Sequence, residues 1–460
     1  MDGLECNEVS YSKLKETIIG SDFNSRKKSD ALSYIKSNNT VEDYFNLHSQ
    51  VVNNVNNALN YDLKHSKGNF LHNVEINHVI NTTKKKILHG DFIISRLRSY
   101  LKECAVVQNK SINQVCSTEY LIYRPKTMLM SSNTLMCFCL TDKVQAILNY
   151  SQYGTEHPRF YEFVLNEMPV PSVLLSINHK IEHIFSVIYK FQTEGLQLYS
   201  KAEELLISEL GLQDCLISTE SISIKSISKS FLSTGRLDAE YYQPKYEKYE
   251  LLLKTNDTVG TLCNLYDKNF TPLKEKKYKY IELSNVGMFG NIFDTDIITG
   301  KKLPSRARRK IKSNQVIIAS VEGSLESCAL ITENCNNILC STGFYVLNSN
   351  SINSETVLLL FKSKPIQMLL KQRCSGTILT AITKDELLKM PFPKVNTYIQ
   401  KQIAEKIQKS FSLRHKSEEL FKSAIKAVEI AIEQGEGAAT EWLDENTKNI
   451  MAEIGEIDIE

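Results

Sequence analysis

From Ile177 onward the apolar positions advance by alternating fours and threes: Ile177, Ile181, Ile184, Ile188 and Phe191, then Gly195, then Leu198, Ala202 and Leu205. That 3.5-residue period is the seam of a coiled coil, and it predicts a helix of about 33 residues spanning about 50 Å. A second helix is predicted over residues 398–432, with Ile399, Ile403, Leu413, Leu420, Ala424 and Ala427 on the equivalent stripe. Its stripe turns polar at Lys406, Ser410 and Ser417, which predicts a seam packed mainly at its two ends and a face open to an outside partner. Before each helix stands a Pro-x-Pro break, "MPVP" at 168 and "MPFP" at 390, and before each break lie short β-rich runs such as residues 92–95 and 316–320.

The two halves are the same text written twice. Setting Asp91 on Gln315, an offset of 224, lays "DFIISRLRSYLKECAVV" over "QVIIASVEGSLESCALI" and then "CSTEYLIY" at 116 over "CSTGFYVL" at 340. An offset of 222 then aligns Gly154-Thr155 with Gly376-Thr377, the two Pro-x-Pro breaks, and Ile177 and Ile181 with Ile399 and Ile403. Four blocks in one order indicate a duplicated domain. The expectation is an α/β (α+β) chain: domain 1 over 1–172, a spacer helix over 173–215, domain 2 over 216–394, a second spacer helix over 395–436, and an acidic tail over 437–460.

Composition adds little at first. A chain of 460 residues with 42% hydrophobic and 23% charged residues is globular and multidomain, and its net charge of +2 announces no polyanion. The distribution is more informative: residues 271–312 hold eleven Lys or Arg against four Asp or Glu, whereas residues 433–460 hold nine acids against Lys448 alone. Eleven cysteines without a CxxC pair, Cys104, Cys116, Cys328 and Cys340 among them, read as buried reduced thiols. With no signal-peptide pattern in "MDGLECNEVS" and no run of about 18 apolar residues, the expected location is the cytoplasm.

Two binding units on stiff helices suit a split target, since one turn of duplex DNA is roughly 34 Å. The candidate contacts are Lys84, Lys85, Lys86, Arg96, Arg98, Thr155 and Arg159 in the first unit. In the second they are Lys274, Lys276, Lys277, Lys279, Ser305, Arg306, Arg308, Arg309, Ser320, Glu322 and Thr377. Lys and Arg neutralise phosphates, while Arg and the small polar side chains reach base edges. Arg96 and Arg98 stand where the second unit has Ser320 and Glu322, the divergence expected of two readers of different half-sites. No phosphate-binding Gly-rich loop, Gly-x-Ser-x-Gly elbow or His-Glu-x-x-His helix occurs, the histidines show no metal spacing, and His157 reads as a hydrogen-bonded surface residue.

The run "GRLDAEYYQPKYEKYELLLK", the strand "YIELSNVG" at 280, "LPSRARRKIKSNQVIIAS", "CSTGF", Gly376-Thr377, "MPFP" and "IQKQIAEKI" together resemble the specificity subunit of type I restriction-modification enzymes. The resemblance is strong over residues 220–435 and looser over 80–210. It implies two target-recognition domains, each followed by a long conserved helix, with the helices packed as an antiparallel coiled coil under pseudo-two-fold symmetry. It further implies a non-catalytic chain without a cofactor or metal, which binds double-stranded DNA and directs two modification subunits that methylate adenine with S-adenosylmethionine. Restriction/motor subunits, with ATP and Mg, would add cleavage. No Asn-Pro-Pro-Tyr or Asp-Pro-Pro-Tyr tetrapeptide of an amino-methyltransferase is present. In the first unit only "SDALSYI" at 29 answers "RLDAEYY", Asn178 replaces the glutamine seen at Gln400, and residues 40–85 match no family motif. The competing readings are a helical scaffold that binds no DNA and a fused methyltransferase.

Overall fold

Alternation along the strands explains why each half folds into three layers. In the computed structural model, which describes residues 7–14, 18–213, 222–293, 295–333, 337–376 and 380–452, the chain divides into two compact units, Met1–Phe191 with His415–Glu460 and Gln192–Arg414. In unit 2 an antiparallel sheet runs Cys263–Leu265, Phe344–Ser349, Val316–Ala319, Cys328–Leu330. Val316, Ile318, Cys328, Leu330 and Leu347 face a helical layer. Ile317, Ala319, Ala329, Phe344 and Val346 face a second, mixed sheet through Ile281, Ile311, Ile338 and Cys340. Burial on both faces is why these strands read as unbroken apolar runs.

Unit 1 repeats the plan. Its antiparallel sheet runs Phe45–His48, Tyr120–Pro125, Phe92–Ser95, Cys104–Val106. The mixed sheets correspond as well: Ile76–Ile80, Val55–Tyr61, Asn113–Cys116 and Lys84–Ile87 in unit 1, with Val51–Val52 added at the edge, against Ile297–Thr299, Lys277–Ile281, Ile338–Ser341 and Ala307–Ile311 in unit 2. In each, one parallel pair is flanked by antiparallel neighbours. Helices Ser132–Leu140 and Asp142–Asn149 answer Ser354–Lys362 and Lys364–Arg373. The helix Arg26–Tyr34, which carries "SDALSY", packs on Asp142–Asn149 as Pro244–Leu253 packs on Lys364–Arg373. The eight described cysteines are free and buried, and burial pushes the Cys104 thiol up to about 12 and the Cys328 thiol up to about 11.

The long helices span Val173–Glu209 and Thr397–Gln434, and they pack antiparallel. Unit 1 joins the first half of one to the second half of the other, with the Phe185 and Phe421 rings 5.8 Å apart. In unit 2 the descending order is Arg414 on Gln192 at 3.4 Å, Ser410 on Gly195 at 2.6 Å and Asn396 on Glu209 at 3.1 Å. Ile177, Ile181, Ile184, Ile188, Phe191, Ile403, Leu413, Leu420, Ala424 and Ala427 are buried, while Ile399 is half-buried.

Two expectations of the seam need correction. After Gly195 the stripe runs through Tyr199, Ala202 and Leu206, so Ala202 keeps its expected place while Leu198 and Leu205 are half-buried beside it. The polar interruptions are also not an open face, because Ser410 and Ser417 are fully buried and Ile407 takes the inward place expected of Lys406. Ser410 fits there because its hydroxyl donates to the Gly195 carbonyl. Residues 437–460, acidic in sequence, contain most of a further helix, Glu436–Ala452, with Ala439, Leu443 and Thr447 buried and Lys180 on Asp444 at 3.2 Å.

A methyl group at Gly195 would meet the Ser410 carbonyl at 3.4 Å and Arg414 Cγ at 3.5 Å, which is ordinary contact. Gly195→Ala should therefore be neutral or stabilising, given the poor helix propensity of glycine. Gly195→Leu should overpack the seam and lower unit 2 stability by about 1–3 kcal/mol, read as a shift in urea midpoint.

Candidate nucleic-acid interface

In each unit the strand that opens the repeated segment ends in a loop held by the same three backbone bonds. In unit 1, Arg96 N donates to Glu119 O at 3.2 Å, Phe160 N to Arg96 O at 3.0 Å and Arg98 N to Pro158 O at 2.7 Å. In unit 2, Ser320 N donates to Gly343 O, Ile382 N to Ser320 O and Glu322 N to Thr380 O, each at 2.9 Å. Gly154 and Gly376, which begin the adjoining hairpin loops, both have positive φ, 85° and 127°, the region that favours glycine. The frame is the same; the side chains mounted on it are not.

Unit 1 mounts a charge network. Glu119 accepts from Arg159 Nε at 2.9 Å, Arg159 Nη2 at 2.7 Å and Arg96 Nε at 3.2 Å, while Arg96 Nη1 donates to Glu162 at 2.8 Å. The hydrogen bond from Arg159 is the first cause holding the Glu119 carboxyl below its ordinary range. Lys85 donates to Tyr120 O at 2.8 Å, and its burial lowers the amine's affinity for a proton. Arg98 Nη2 lies 3.2 Å from His157 Nδ1 and 3.4 Å from the Glu156 carbonyl. Lys84 is buried on Asp62 at 3.1 Å, whereas Lys86 and Thr155 are exposed.

Unit 2 mounts neutral and acidic groups on the same frame, where Ser320 Oγ donates to Gly343 O at 3.0 Å beside a half-buried Glu322. Arg309 pairs with Cys340 as Lys85 pairs with Cys116, and its Nε and Nη1 are buried without a hydrogen-bond partner. Lys279 is paired with Glu333 and Arg308 donates to the Ser305 carbonyl at 3.1 Å. Thr377 lies outside the described residues.

The exposed cations of unit 2 gather at the two ends of a segment that crosses the outer face of its mixed sheet. Thr299 pairs with Lys277 at one end, and Ala307 pairs with Ser341 at the other. Leu303 packs on the outward cluster of Tyr278, Tyr280, Ala307 and Leu339. The segment from Gly300 to Arg306 therefore crosses that face. Its start is fixed by Gly300, where a Cβ would lie 2.1 Å from the Leu273 carbonyl, and by Lys301 N on Lys274 O at 2.9 Å. Lys274, Lys276, Lys277, Lys301 and Lys302 thus converge at one end, with Ser305 and Arg306 at the far end. Lys274, Lys276, Lys277, Lys302 and Arg306 have no acidic partner among the described residues. The described residues hold no cluster able to bind a metal and no helix long and apolar enough to cross a membrane.

No family model and no curated protein matches the chain. Solved structures do. The S subunit of a type I restriction-modification system from M. genitalium matches at 13% identity and a TM-score of 0.38, over 87% of this chain and 95% of that one. The HsdS subunit from Thermoanaerobacter tengcongensis matches at 15% and 0.27, over 86% and 96%. A chain from a structure on complex assembly and conformational transition of the type I R-M system matches at 14% and 0.30, over 86% and 97%. This is the family that the sequence motifs resemble.

Glu119 carries the clearest pH signature. Its folded-state affinity for protons is depressed, so its contribution is present at neutral pH and is lost as pH falls below the ordinary glutamate range of about 4.5. Glu119→Gln should therefore lower the stability of unit 1 at pH 7 and flatten its loss on acidification, as measured by urea midpoints between pH 3 and 7.

Proposed function

We propose that this chain is the DNA-recognition subunit of a type I restriction-modification complex, non-catalytic itself, in which each unit reads one half of a bipartite duplex target. The observation that carries the proposal is the duplicated backbone frame with different polar side chains at equivalent positions, Arg96 against Ser320 and Arg98 against Glu322. Two identical mounts with different side chains suit two different half-sites. The cationic band of unit 2 supplies phosphate neutralisation, and the absent catalytic motifs assign chemistry to partners. Those partners are two modification subunits that methylate adenine with S-adenosylmethionine, joined in a restricting complex by ATP- and Mg-dependent motor subunits.

The test is to purify the chain with the products of its neighbouring genes and map adenine methylation across the genome. An interrupted motif is expected, and exchange of residues 216–394 with those of a relative should change one half of it. A continuous motif, or one indifferent to the exchange, would overturn the proposal. Replacing Lys276, Lys277 and Arg306 by glutamine should weaken duplex binding and reduce its salt slope by about 0.9 for each phosphate that is no longer neutralised. A gel-shift series at several salt concentrations measures both.

A further inference from the structure

The strand pair Val55–Tyr61/Ile76–Ile80 of unit 1 carries a chemistry that the charge network does not explain. Residues 51–61 hold five asparagines, and neither they nor residues 76–83 contain a single charged side chain. Ile76–Ile80 lies at the sheet edge, and four successive residues, Ile76, Asn77, His78 and Val79, are exposed. A strand that covers a core buries every second residue; here both faces are open. Opposite them Asn56 and Asn57 are also exposed. Residues 55–57 run past the neighbouring strand, whose pairing begins at Ala58 with Asn113. The result is a short two-stranded overhang, anchored on the sheet through Val55 and buried Ile80 and exposed over Asn56, Asn57 and residues 76–79.

Its place in the fold ties it to unit 2. By strand register, Ala58 and Asn77 pair as Tyr278 and Ile298 pair, so Asn57 stands at the position of Lys277 and His78 at that of Thr299. The surface that is densely cationic in unit 2 is amide and imidazole in unit 1. An uncharged ribbon cannot neutralise phosphate. Asparagine does match the adenine edge, donating to N7 and accepting from the 6-amino group, and a two-stranded ribbon fits the major groove. Asn57 Oδ1 lies 3.1 Å from His78 Nδ1, which holds this cross-strand pair in one orientation. Val79, 62% exposed, and Ile76, 43% exposed, supply apolar contact of the kind made with a thymine methyl group.

We infer that Asn56, Asn57, Asn77 and His78 form the base-reading edge of unit 1 and select A·T pairs through the major groove in one half of the target. This rests on the DNA-recognition reading above. The full chain, with any modification subunits that copurify, is used to select from a randomised duplex library, as wild type and as Asn57→Ala/Asn77→Ala. The double variant should lose A·T preference in one half-site and bind the wild-type optimum about tenfold more weakly, with an unchanged salt slope. The affected half should be the one that exchange of residues 216–394 leaves unchanged. Asn57→Lys, which installs the unit 2 residue at its equivalent place, should move preference in that half towards guanine and steepen the salt dependence. Because Asn57 has a positive φ of 49°, which favours asparagine over alanine or lysine, urea midpoints and the single variant Asn77→Ala separate loss of base reading from loss of fold. Wild-type preference and affinity in both asparagine variants would overturn the inference while leaving DNA recognition standing. A wild-type chain that selects no sequence would overturn both.

Discussion

One amide side chain in each unit, half-buried Asn178 and buried Gln400, fixes the long helix to the domain that precedes it. Asn178 Oδ1 accepts from Ser131 N at 2.9 Å and from Thr134 Oγ1 at 2.7 Å, at the start of the helix that covers the sheet. Gln400 Oε1 accepts from Asn353 N at 2.8 Å, and Asn353 Nδ2 donates back to Gln400 O at 2.7 Å. Those capping residues also open their own helices, Ser131 to Thr134 N and Asn353 to Thr356 N. A single side chain thus joins sheet-covering helix to spacer helix, and its loss would leave buried donors without partners, a larger penalty than the bond's own worth. The Asn-for-Gln difference keeps the acceptor oxygen and changes only its reach.

Around that joint the architecture separates what must stay from what can vary. Strand alternation, loop backbone bonds and glycines with positive φ recur in both units. The groups mounted on them range from an Arg–Glu–Arg network to a serine and a half-buried glutamate. In unit 1 half of the cations named from sequence, Lys84, Arg96 and Arg159, are already neutralised by Asp62, Glu119 and Glu162. In unit 2 several stand exposed without an acidic partner among the described residues. Two units of one fold therefore present quite different electrostatic surfaces, although the whole chain is nearly neutral.

Much of this was legible in the sequence, because a doubly buried strand and a helical seam both leave strong periodic signals. The repeat offsets of 224 and 222 place the strands from Phe92 to Pro125 on those from Val316 to Ser349, and the hairpins and covering helices likewise. The corresponding part before residue 80 was less legible. Thr40-Val41 and Thr258-Val259 open the same short helix, and both clamp the Pro-x-Pro break, with Val41 N on Met168 O and Val259 N on Met390 O at 3.0 Å. The signal was present in "TVEDYFNL" and "TVGTLCNL", at a third offset of 218 that the longer blocks do not share. Side-chain pairing was not legible at all, because Glu119 meets Arg159 only through the hairpin that brings residue 159 back to the loop. The slip of the seam at Gly195 had a similar cause: without a side chain there, a step of three and a step of four look equally good.

The division of the helices has a consequence for synthesis. Unit 1 consists of residues 1–191 and 415–460, so the partner for its half of the first long helix is made only after the whole of unit 2. Unit 2, from Gln192 to Arg414, contains its own half of each helix and is complete when Arg414 leaves the ribosome. Domains that emerge first usually finish first. In this chain the order is reversed: the part made first waits, its Ile177-to-Phe191 face uncovered, for the part made last. Chaperone demand during translation should accordingly fall on the first unit rather than the second.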